Sequence, residues 1–99
     1  MIVLDDEAFI SIDGPLDGAE APALQRSVDD ARRMGIRRLV VDLANVSSID
    51  EHGVSALAAA ATVVRRGLVL LMPDGAVATV DDADSLRALL KVSRADPRG

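Results

Sequence analysis

Leu39-Val40-Val41-Asp42-Leu43 is a near-continuous apolar run rich in β-branched residues, and it limits the possible folds more than any other segment. Such a run fits a central strand covered on both faces, as in parallel sheets. Behind it the chain turns polar over residues 44–52 and enters a helix starting near Gly53, with Val54, Leu57, Ala61 and Val64 on one face. Ala56 and Ala58 to Ala60 keep the other sides of that helix slim, so neighbours can approach closely. Arg65-Arg66-Gly67 stops it, with cations at the negative end of the helix dipole. Leu68 to Met72 then reads as a second buried strand.

The flanks fit the same architecture. Ile2 to Leu4 and Phe9 to Ile12 are short strand-like runs around the acidic turn Asp5-Asp6-Glu7. Asp13-Gly14-Pro15 breaks the pattern. Leu24, Val28 and Ala31 follow at helical spacing, which predicts an amphipathic helix from residue 18 or 22 to residue 34, with Gly35 as its stop. Pro22 is tolerable only in the first turn of that helix. The last quarter has two readings. In the favoured one the helix ends at Gly67, residues 68–72 form a strand, and Ala76 to Val80 forms a hairpin strand after Pro73-Asp74-Gly75. In the other the helix runs on through Met72, placing Gly67 in mid-helix at a penalty of ~1 kcal/mol. Asp81, Asp82 or Asp84 caps a last helix carrying Leu86, Leu89, Leu90 and Val92. The tail from Asp96 is expected to fray. The order β-β-α-β-α-β-α predicts a single α/β domain over residues 1–99, with helices packed on a mixed sheet of about four strands.

Composition narrows the function. The chain has 99 residues, a net charge of -5 and one aromatic residue, Phe9. Its acidic surface repels phosphate backbones and anionic lipid, and one ring makes no stacking platform for bases. Nucleic acid is therefore not an expected partner. The absence of Cys removes disulfides, thiolate metal sites and a cysteine nucleophile. A lone His without clustered carboxylates makes no zinc site, and no cofactor is expected. No apolar run approaches the ~20 residues that span a bilayer. The acidic start is unlike a signal peptide, so a cytoplasmic location without membrane insertion is the expectation.

Three stretches resemble the STAS domain, the fold of bacterial anti-sigma factor antagonists. Gly14-Pro15-Leu16-Asp17 is similar to the family's Gly-x-Leu-Asp element closing the second strand. Val41-Asp42-Leu43, with Val46, Ile49, Asp50 and Gly53, is similar to its strand, loop and second-helix start. Leu86 to Ser93 resembles its third helix, with Arg94 where a Gly is usual. The central stretch is the distinctive one. Against the family pattern, the sequence ends soon after the third helix, which implies a reduced outer sheet.

The resemblance implies a partner surface made of Asp17, Ser48, Asp50, Glu51, His52 and Ser55. Contacts would come from loop 44–52, the exposed edge of the helix over residues 53–66, and Asp17. In the family, the residue after this Asp is a Ser or Thr that a partner kinase phosphorylates. Here it is Glu51, which forms no stable phosphoryl ester. Glu51 carries about half to two-thirds of a phosphate's charge, so it partly imitates the phosphorylated form. The simpler reading is a capping box, with Ser48 as N-cap and Glu51 three residues on. Asp50 suits a loop-shaping role. His52 could titrate near neutrality between Asp50 and Glu51, although a solvated His is commoner at a helix start. Ser55 is read as a packing residue, Ser47 and Ser48 as loop or cap groups, and Asp17 as a helix cap with Glu20.

No nucleophile with a separate base, no acid pair in a cleft and no phosphate cradle is legible, so no enzymatic activity is expected. The resemblance implies a protein-binding regulator that engages an anti-sigma factor of the GHKL kinase type and is not switched by phosphorylation at residue 51. An accessory STAS subunit of a transport ATPase is the alternative. A self-associating module, such as a homodimer through a helix or sheet edge, is the third.

Overall fold

The computed structural model describes residues 1–64, 67–80 and 82–94. The chain runs β1 (Ile2–Leu4), β2 (Glu7–Leu16), α1 (Ala21–Arg33), β3 (Arg38–Ile49), α2 (Glu51–Val63), β4 (Leu68–Leu71), β5 (Val77–Val80) and α3 (Ala83–Arg94). The five strands form one mixed sheet in the order β1-β2-β3-β4-β5. β2, β3 and β4 are parallel, and antiparallel hairpins add β1 and β5 at the two edges. The fifth strand is Val77–Val80, the segment that the sequence offers as a hairpin strand. Gly67 ends the α2 connection because a side chain there would collide with the Arg37 carbonyl. This selects the reading with a strand at residue 68. The proposed role of Arg65 and Arg66 in the helix stop, a cap from Asp81 and the frayed tail lie outside the described residues.

Both parallel crossovers step in the same direction, so right-handed connections put α1 and α2 on one face of the sheet. α1 packs on α2, and α2 packs on α3. The core between the layers is aliphatic. Ala8, Ile10 and Ile12 of β2, Leu39, Val41 and Leu43 of β3, and Leu68 and Leu70 of β4 meet Leu24, Val28, Leu57, Leu86 and Leu90 from the helices. α2 sits between its two neighbours and is buried on several sides, which is why its alanines are needed. No helix among the described residues is long and apolar enough to cross a membrane.

The largest departure from the sequence reading is at residues 44–49. They are not a loop: they continue β3, paired with β2 as far as Leu16 and Ile49. From Ser11 to Leu16, β2 advances five residues while β3 advances seven from Asp42 to Ile49, so β3 bulges twice. Asp42 Oδ1 accepts the N–H of Ala44 at 2.9 Å, satisfying a donor where the first shift occurs. Gly14 takes φ +80°, and Pro15 lies beyond the pairing with β1, opposite Ser48 of β3. The Asp13-Gly14-Pro15 stretch therefore bends the strand without ending it. The resulting two-stranded ribbon outruns β4 and carries the chain directly to the start of α2.

Candidate partner-binding site

At the far end of the ribbon, the chain reverses into α2 within one residue. Asp50 donates its N–H to the Leu16 carbonyl at 3.2 Å and is extended, at φ -105° and ψ -172°. Its Oδ1 accepts the N–H groups of His52 at 2.9 Å and Gly53 at 3.1 Å. Asp50 is thus the N-cap of α2, satisfying two of the amides a helix start leaves free. The hydrogen bond from Gly53, helped by those from His52, holds the Asp50 carboxyl below the ordinary carboxylate value.

The expected capping box of Ser48 and Glu51 is not formed. Pairing with Pro15 keeps Ser48 extended within β3, two residues too early to cap the helix. Asp and Ser are about equally good N-caps, and the ladder decides between them. Glu51 becomes the first residue of α2, with its side chain exposed beside the positive end of the dipole.

Gly53 fixes how closely α2 approaches the ribbon. A Cβ on it would lie 2.5 Å from the Leu16 carbonyl oxygen and 2.8 Å from the Leu16 Cγ. Only glycine allows the first turn to seat on the end of β2. The sequence marks this position only as a helix start.

Asp17 shapes the opposite wall. Its Oδ1 accepts the N–H groups of Ala19 at 3.0 Å and Glu20 at 3.2 Å, and its carbonyl accepts that of Ala21. Asp17 therefore closes the turn leading into α1 and is not the helix cap expected of it. Glu20 itself takes the N-cap position and provides no side-chain cap, so the reciprocal half of that box is missing.

These two turns meet. The His52 ring lies over Gly18, and a Cβ on Gly18 would come within 3.4 Å of His52 Nδ1. That same nitrogen is 3.5 Å from Asp50 Oδ2, an ion pair whenever the ring is protonated. Next to this contact, an open depression of about 430 Å³ runs between the two helix starts. Gly18, Ala21, Pro22 and Gln25 form one side, and Glu51, His52 and Ser55 form the other. Ser55 is exposed and lines the depression, contrary to its reading as a packing residue; α2 turns Val54 and Ala56 inward instead.

The fold thus gathers Glu51, His52 and Ser55 at the depression, with Asp17 and Asp50 building the turns that hold it. Ser48 is exposed on the ribbon and does not line the depression. Sequence reasoning missed Pro22 and Gln25, which the i, i+3 spacing of α1 could have placed on one face. Among the described residues, no group of three or more His, Cys, Asp or Glu side chains could hold a metal ion.

This arrangement, one mixed sheet with helices on one face and an open depression at the start of the second helix, defines a class. The STAS domain family model matches residues 1–93, and the chain belongs to that family. It is a regulatory or interaction module of the anti-sigma factor antagonist superfamily, in which STAS domains generally mediate protein–protein contacts. No curated protein matches the chain.

Proposed function

We propose that this chain acts by binding, without catalysis of its own, and engages an anti-sigma factor of the GHKL kinase type in the cytoplasm. The observation that carries this reading is the meeting of the Asp17–Gly18 turn with the first turn of α2, where His52 covers Gly18. It joins the two family elements into one continuous surface. Glu51 stands at its rim as a fixed negative charge, so binding is set by partner abundance and not by a phosphate on that residue.

The replaced acceptor also favours a second reading, an accessory STAS subunit of a transport ATPase, because such a partner needs no phosphorylatable residue there. The test is capture from the native cytosol on wild-type, Glu51→Ala and Glu51→Ser baits, followed by ATP addition. A GHKL kinase retained on the baits, with phosphate incorporated only into the Ser variant, supports the first reading. Retention of an ABC-type ATPase supports the second. Stoichiometric phosphorylation of the wild-type chain between residues 47 and 55 overturns the fixed-charge role of Glu51.

A further inference from the structure

The helices cover one face of the sheet, and the other face carries an apolar row between charged and polar positions. Register and alternation place Ile2, Phe9, Val40, Val69 and Thr79 in one row across all five strands of that second face. Leu71 and Val77 extend the apolar area in the next row. Ile2 is 64% exposed and Val77 is 67% exposed. Phe9, the only aromatic residue, is half-buried here and is not part of the core between sheet and helices. A sheet in a lone domain normally shows polar side chains on its solvated face. This one carries an apolar row that is open at Ile2, half-buried at Phe9 and Val40, covered at Val69 and ended by Thr79.

Opposite charges flank that row on β3. Arg38 lies one row to one side, next to Glu7, with Nη1 3.3 Å from the Glu7 carboxylate. Asp42 lies on the same strand one row to the other side. A two-fold axis running along the apolar row, across the strands, places Arg38 of one copy opposite Asp42 of the other, twice. An axis along β3 would instead oppose Arg38 to Arg38. Asp42 Oδ1 accepts the Ala44 N–H, and the guanidinium would engage the second carboxylate oxygen.

We propose that this face is a self-association surface whose occupant is a second copy of the chain. The sheets pack face to face about the Phe9–Val40–Val69 row, with two reciprocal Arg38–Asp42 pairs. Strand spacing and rise give the face roughly 20–25 Å by about 13 Å. That is below the ~800 Å² per partner of a standard interface. The dimer is accordingly weak and reversible. Because the helices point away from this face, both candidate partner sites stay open in the dimer.

The test is sedimentation equilibrium of the purified chain from about 1 µM to 1 mM, with Arg38→Gln, Asp42→Asn and the double variant alongside. Asp42→Asn keeps the oxygen that serves Ala44. Each single variant should weaken the dimer about five- to twenty-five-fold, since two pairs are lost at once. The double variant should be no weaker than the worse single one, because the same contact is removed. Circular dichroism melts should show all variants folded. A monomer up to 1 mM overturns the proposal. So does association that ignores both charge variants, or that is abolished only by Val3→Pro at the β1 edge.

Discussion

His52 rests on Gly18, with its Nδ1 3.4 Å from where a Gly18 Cβ would stand. The two residues belong to different crossover units, so this contact ties the approach to α1 to the first turn of α2. Each turn already carries its own carboxylate, Asp17 on one side and Asp50 on the other. The surface between the helix starts is therefore held by hydrogen bonds to backbone N–H groups, and Glu51, Gln25 and Ser55 line the depression beside it.

Gly18→Leu should fill this junction and push the His52 ring away. Gly18 is exposed, so the urea midpoint should correspond to a change within about 0.5 kcal/mol. Partner capture should fall sharply. The comparison of equilibrium unfolding with capture yield separates a blocked surface from a damaged fold.

Gly53→Ala reverses the usual sign for a helical glycine. In an open helix the change would stabilise by about 1 kcal/mol. Here the added carbon meets the Leu16 carbonyl and side chain, which are backbone and core and cannot move freely. The expected result is a loss of about 1–3 kcal/mol in urea unfolding.

Acid should unfold the protein partly through its helix caps. Asp50 is held below the ordinary value of 3.8, first by the N–H of Gly53. Asp82 is held below the same value, first by the N–H of Ser85, which lies 2.8 Å from its Oδ1. A depressed folded-state pKa means that protonation opposes folding. The contribution is complete above the unfolded-state value and disappears as the pH falls through the folded-state values. Asp50→Asn with Asp82→Asn keeps an acceptor at each cap and removes the titration. Melting curves between pH 2 and 6 should show a flatter acid limb for that double variant.

The elements defined by periodicity were legible in the sequence. Leu24, Val28 and Ala31 marked the inner face of α1, and Leu39, Val41 and Leu43 marked the central strand, because burial repeats with the helix or strand period. The ribbon was not legible. Its polar residues Asn45, Ser47 and Ser48 resemble a loop, and only pairing with a bent β2 keeps them extended. With Ser48 held in the ladder, the cap falls to Asp50. Gly53 and Gly67 looked like ordinary helix punctuation, whereas each marks a close approach to a distant carbonyl. Asp82 was one of three candidate caps, and its bond to Ser85 identifies it as a cap of α3.

The most direct measurement of the central claim is binding of the captured GHKL kinase, by calorimetry, to the wild-type chain and to Ser55→Arg. Ser55 is exposed and one helical turn beyond Glu51 on the same side of the depression, so a bulky cation there fills the surface and leaves the core untouched. Binding to the wild-type chain and at least a tenfold loss for Ser55→Arg, a change of about 1.4 kcal/mol, are expected. Equal affinity for both chains, with Ser55→Arg folded, would contradict that claim.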